Sequence, residues 1–185
     1  MNEQRFTLQY PWDCNGYKPP VTFYLNVEVK GFHMRVVVEE CNPRRMEKRH
    51  QNFVHNDSCV EWFVNFCPEI NDQYFNFEVN PNGTMYAAFR KNRYEYRLLS
   101  LEDILAMQIE AHVYSDTWEV SYHVPFSLIQ KYIPDYCYRR GRMIRTNFYK
   151  CGDQMPFPHY GMWKVFSADY PDFHKPEHFG EIFLP

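Results

Sequence analysis

Val60-Glu-Trp-Phe-Val-Asn-Phe66 is the densest apolar run of the chain. In an extended strand Val60, Trp62, Val64 and Phe66 point one way, and Glu61, Phe63 and Asn65 point the other. Outward from it, Tyr74–Asn80 and Thr84–Lys91 flank Pro81-Asn82-Gly83. Asn-Gly supplies the positive φ angles of a tight turn, so these runs predict a hairpin. Upstream, Phe23, Leu25, Val27 and Val29 alternate with Thr22, Tyr24, Asn26 and Glu28, a period of two. Lys30-Gly31 permits a turn into Phe32–Glu40, its antiparallel partner. Asn42–Asn52 is polar and basic and reads as a solvated loop. Downstream, Trp118–Val124 is a strand, and Pro125–Tyr132 makes one or two helical turns that Pro134 stops. Thr146–Tyr149 and Phe179–Leu184 are short late strands.

Short strands, turn signals and one brief helix predict an all-β fold, a mostly antiparallel β-sandwich. No repeat and no linker breaks the chain, so residues 1–185 read as a single domain. Composition agrees: 15 Tyr, 16 Phe and 4 Trp in 185 residues suit strands better than a helix bundle. Twenty basic against 23 acidic residues give a net charge of −3. That excludes a polybasic nucleic-acid binder. No apolar run approaches the ~18 residues that cross a bilayer, so neither nucleic acid nor membrane is an expected partner. The opening MNEQRFTLQYPWD has no basic region followed by an apolar one. A cytoplasmic location is expected if Met1 is the true start, and an extracellular one if the chain has been trimmed. The 6 cysteines, among them Cys14, include no CxxC and are expected as free thiols.

Glu61 sits on a strand face with Phe63, where a carboxylate needs a partner. Two readings stay open: an anchor for sugar hydroxyls, or an ion pair with an arginine such as Arg90 or Arg145. Asp57 and Glu61 are also a candidate acid pair for glycoside hydrolysis, but nothing in their spacing fixes the separation that chemistry needs. His174 and His178 share an HxxxH spacing that Pro176 interrupts, which weakens a metal reading. Trp163 lies in a Pro- and Gly-rich segment, either as a stacking platform for a sugar ring or as a plug over the sandwich end. Trp62 and Trp118 read as core.

Five landmarks carry a resemblance. They are Asn56-Asp57-x-x-Val60-Glu61-x-Phe63, Phe77-Glu78-Val79-Asn80-Pro81-Asn82-Gly83-Thr84, Trp118-x-Val120-x-x-x-Val124-Pro125-Phe126, Arg145-x-Asn147-Phe148-Tyr149-Lys150-Cys151-Gly152-Asp153, and Pro171-Asp172-Phe173-His174-x-Pro176. In this order the sequence resembles the family 9 carbohydrate-binding modules, specifically their bacterial stand-alone relatives, from about Tyr17 to Leu184. The resemblance implies a β-sandwich with a ligand slot between two Trp rings and polar partners. The first Trp is replaced by the stretch Phe53-Val54-His55, where His55 stands in. The family's Glu matches Glu61 and its Asn matches Asn147. The second Trp is expected soon after that Asn, where Tyr149 and Lys150 follow instead, and Trp163 comes thirteen residues beyond Lys150. The implied function is non-catalytic binding of a mono- or oligosaccharide by His55, Glu61, Asn147, Tyr149 and Trp163, with Arg90 as a partner and Trp163 sharing a cleft with Glu61. No cofactor is required. Calcium, held structurally by some relatives, would have Asp57 and Asp153 as its nearest carboxylates. Other readings are an intracellular interaction protein with a vestigial slot, or a haem or small-ligand carrier of the wider superfamily.

Overall fold

Alternating burial along three neighbouring strands builds the first layer. In a computed structural model, which describes residues 3–12 and 15–185, β3 (Val21–Glu28) pairs β4 (Gly31–Val38), which pairs β10 (Trp118–Pro125). Phe23 lies opposite Val36, and Val36 opposite Val120, so apolar side chains stack on one face across the strands. β1 (Gln4–Thr7) and β9 (Glu110–Val113) flank them, giving the antiparallel order β1-β3-β4-β10-β9.

The second layer is larger. Its order is β2 (Gln9–Trp12), β12 (Tyr160–Met162), β11 (Met143–Cys151), β5 (Cys59–Asn65), β6 (Tyr74–Val79), β7 (Met85–Arg90) and β8 (Tyr96–Leu98), with β13 (Gly180–Phe183) pairing the first half of β11. The two sheets enclose a core in which Trp62, Phe77, Trp118 and Phe148 are fully buried. Trp62 Nε1 donates to Thr146 Oγ1 at 2.9 Å, satisfying the indole. Glu40 is buried in the same interior, where it accepts from Trp118 Nε1 at 2.8 Å and from Ser58 Oγ. The buried Lys150 lies 3.7 Å from it. Every residue of β5 is buried, because its second face is covered as well. There Cys59, Phe63, Tyr149, Cys151 and Met162 pack with Phe166, Phe173 and Phe179 from the C-terminal segments.

Two details correct the sequence reading. A second helix, α1 (Leu101–Ala106), precedes the expected one, α2 (Phe126–Tyr132). Six residues carry too little periodicity to announce it, but Ser100 and Asp103 form a capping box that starts it. In the hairpin, Gly83 has φ +73° while Asn82 is not among the residues with positive φ. Gly83 N donates to Asn80 O at 2.9 Å, and Asn80 N donates to Thr84 O at 3.1 Å, so one left-handed glycine closes a longer turn. Cys41, Cys59, Cys67, Cys137 and Cys151 are free thiols, as expected. Cys14 lies outside the described residues. Among the described residues no helix is long and apolar enough to cross a membrane.

Candidate functional site

Period two along β5, β6, β7 and β11 sends Glu61, Glu78, Arg90 and Cys151 to the outer face of the larger sheet. There they floor a cavity of about 380 Å³, within the roughly 300–1,000 Å³ of small-ligand sites. Glu61 and Glu78 are register partners. Glu78 accepts from Asn76 Nδ2 at 2.6 Å and lies 3.7 Å from His55 Nδ1. The Arg90 guanidinium is fixed from several sides. Its Nε donates to Asn76 Oδ1 at 2.7 Å, its Nη2 to Tyr86 Oη at 3.0 Å and its Nη1 to the Arg93 carbonyl at 3.0 Å. It also lies over the Tyr96 ring, 4.3 Å from the centroid.

Loops raise the walls. Asp153 N donates to the His55 carbonyl at 3.0 Å, and Gln154 N to that of Asn56 at 3.1 Å, which ties the two rim segments together. Phe53 and Tyr96 sit at the lip, 63% and 49% exposed. Phe173 and His174 also line the cavity. Tyr149 stacks beneath Phe173 at 4.2 Å and 14°, and its hydroxyl donates to the Phe173 carbonyl at 3.2 Å. Tyr74 Oη meets His174 Nδ1 at 2.9 Å. Arg93 bridges to Asp172 at 2.7 Å.

The field in the cavity is mixed. Burial, and then the facing Glu78, hold the Glu61 carboxyl well above the ordinary carboxylate range. Burial raises Asp153 as well. The neighbouring Glu78 carboxylate raises His55. Burial, and then Arg90 and Arg93, lower His174 to about 3, so its ring is neutral. The site therefore offers donors and acceptors of both charges beside exposed rings, which suits a polar ligand with flat apolar patches.

The sequence profile of Carbohydrate-binding family 9 matches residues 4–184. The chain belongs to this family. Among solved structures it is similar to a candidate carbohydrate-binding protein from Bacteroides uniformis, at 24% identity and a TM-score of 0.87, over 99% of this chain and 87% of that one. It is also similar to a family 9 carbohydrate-binding module from Caldicellulosiruptor kristjanssonii. In complex with cellotriose that module gives 12% identity and a TM-score of 0.62, over 98% of this chain and 82% of that one. In complex with glucose it gives 13% and 0.63, over 97% and 84%. Among curated proteins, none matches the chain.

In this family 9 chain the expected site residues separate into two groups. His55, Glu61 and Arg90 line the cavity, together with Asp153. Asn147, Tyr149 and Trp163 do not line it, which corrects the expected slot. Asn147 is fully buried and clamps Lys164, donating to its carbonyl and accepting from its N–H at 2.9 Å each. Tyr149 is fully buried below Phe173. Trp163 packs on Phe6 at 4.9 Å and Phe148 at 5.7 Å, with Lys164 Nζ 4.4 Å from its ring centroid. It packs, partly buried, against the sandwich core and does not line the cavity that holds Glu61. Asp57 is buried, with Arg44 on one oxygen and Glu47 N and Asn80 Nδ2 on the other. It secures the 42–52 loop rather than facing Glu61 in the cavity. His174 meets Tyr74, whereas His178 stacks on Phe166 at 4.7 Å, so the HxxxH spacing does not gather a metal pair.

Glu78, Arg93, Phe53 and Tyr96 also line the cavity and are not among the residues the sequence singles out for it. Glu78 was within reach, since alternation in the hairpin strand puts it on the face that carries Glu61. Phe53 lay inside the stretch that lacks the family's Trp. Arg93 and Tyr96 follow a bend after β7 that no periodicity marks.

Proposed function

We propose that the chain binds a saccharide, without catalysis, in the cavity on the outer face of the larger sheet. The observation that carries this reading is the pairing of exposed rings at the lip with fixed polar groups on the floor. Phe53 and Tyr96 offer flat apolar faces to a pyranose. Arg90 and Arg93 donate to hydroxyls, Glu78 and Asp153 accept from them, and His55 bridges the rim to Glu78. Membership of family 9 supports a carbohydrate, and the likeness to a module solved with cellotriose and with glucose favours glucose-based ligands. The floor groups are held by neighbouring side chains, an arrangement suited to recognition. Both Asp57 oxygens are engaged by protein donors, which argues against Asp57 as a calcium ligand.

Calorimetric titration with glucose, cellobiose and cellotriose tests the reading, with thermal unfolding as the parallel readout. Saturable binding that raises the melting temperature is expected, and Glu78→Gln should weaken it by about tenfold, the loss of roughly one charge-assisted hydrogen bond. Absence of heat and of any thermal shift with mono- and oligosaccharides at tens of times a Kd of ~1 mM would overturn it.

A further inference from the structure

Cys59 and Cys151 face each other across β5 and β11, on the sheet face that carries Glu61. Both are buried free thiols. Cys151 Sγ donates to Glu61 Oε1 at 3.0 Å. The two sulfurs and a Glu61 carboxylate oxygen all lie within 4.8 Å of one another. We propose that Cys59, Cys151 and Glu61 form a binding site for a thiophilic divalent cation of the zinc class at the floor of the cavity.

The geometry suits the ion. Zinc takes sulfur at ~2.3 Å and carboxylate oxygen at ~2.0–2.2 Å in a tetrahedron, which sets its donors roughly 3.5–3.8 Å apart. Side-chain adjustments of an ångström or less bring these three groups to those separations. Two thiolates favour a borderline or soft ion, whereas calcium and magnesium prefer oxygen. Cys151 and Glu61 both line the cavity, so the fourth position opens into it, for a water or, on the saccharide reading above, a ligand hydroxyl. All three donors sit on paired strands, which hold them more firmly than loops would.

The cation would also give the buried Glu61 carboxylate a direct positive partner. Glu61 is 4% exposed and lies opposite a second carboxylate, Glu78, and the hydrogen bond it accepts comes from a thiol rather than a basic side chain. Burying a carboxylate that way is unfavourable unless a positive charge joins it. Binding of a divalent ion releases the two thiol protons, so the floor keeps a single net negative charge, now held directly against the cation. Arg90 is the buried cation on the same floor, bonded to Asn76, Tyr86 and a backbone carbonyl.

The test is titration of the reduced, metal-stripped full chain with cobalt(II). One equivalent should bind, with thiolate-to-cobalt charge-transfer absorption and the visible bands of a four-coordinate ion, and zinc should displace it. Cys59→Ser and Cys151→Ser should each remove at least half of the charge-transfer intensity. Glu61→Gln should weaken binding while keeping that absorption, and Cys41→Ser and Cys137→Ser should change nothing. Circular dichroism establishes that each variant is folded. Should a serine variant not fold, zinc protection of Cys59 and Cys151 from alkylation in the unaltered chain, read by peptide mass, takes its place. No charge-transfer band at stoichiometric cobalt, a band that survives both serine substitutions, or a Cys59–Cys151 disulfide in the unreduced chain would overturn the proposal. Saccharide titrations of the stripped and the loaded chain separate its failure from failure of the saccharide reading.

Discussion

The two faces of the larger sheet differ in what covers them. The inner face meets the five-stranded sheet, where Trp62, Phe75, Phe77 and Phe148 bury fully against its apolar side chains. The outer face carries Glu61, Glu78, Arg90 and Cys151 beside Phe63 and Tyr149, and C-terminal segments and the segment around Val54 lie over it. One face is closed by another sheet and holds the fold. The other is partly closed by loops and leaves a cavity with fixed charges. A single strand, β5, serves both, because its side chains alternate between them.

Removing a large side chain from the inner face has the largest expected effect. Trp62→Ala should cost about 3–5 kcal/mol, read by chemical denaturation. A loss below about 1 kcal/mol would break the division between the faces. Acid should act next, through His174 on the outer face and His159, whose Nε2 lies 2.6 Å from the buried Lys150 Nζ. Burial lowers His159 to about 4, and His174 to about 3. The unfolded chain protonates its histidines near 6.5, so it binds more protons than the folded one below that pH. Stability is therefore lost as pH falls from 6.5 towards 4 for His159 and towards 3 for His174. Each contributes a slope of at most about 1.4 kcal/mol per pH unit. Denaturation of the unaltered chain and of His174→Gln at several pH values checks this. The variant should lose less stability on acidification, and equal slopes would contradict the assignment.

The two smaller predictions sharpen the contrast in binding. Phe53→Ala removes an exposed ring, so stability should change by no more than about 0.5 kcal/mol. Saccharide affinity should fall by about 1 kcal/mol, roughly fivefold, in a calorimetric titration. Trp163→Phe should leave affinity unchanged, since Trp163 packs on Phe6 and Phe148 instead of facing the cavity. An affinity loss with Trp163→Phe as large as that with Phe53→Ala would put the ligand elsewhere.

This contrast also explains what could be read in advance. Alternation of apolar residues reports which side chains share a face, so the paired strands from Val21 to Val38, the opposite facings of Trp62 and Glu61, and the hairpin around Gly83 were legible. Alternation does not report what covers a face. The return of Phe173 and His174 over the outer face, and the packing of Trp163 on Phe6 and Phe148, are long-range events with no local signal. Edge strands such as Gln4–Thr7 and Tyr96–Leu98 are too short to show a period. Glu61 was found because a carboxylate inside an apolar run is conspicuous. Arg93 and Tyr96 were not, since exposed polar and aromatic residues after a bend look like any loop.

The most direct test of the saccharide site is a nitrogen-15 NMR titration of the labelled chain with cellotriose. The account predicts shifts that saturate and cluster at Phe53, His55, Glu78, Arg90, Arg93 and Tyr96, with Trp163 and the five-stranded sheet unmoved. Shifts centred on Trp163 or on the five-stranded sheet, or none at saturating sugar, would contradict it.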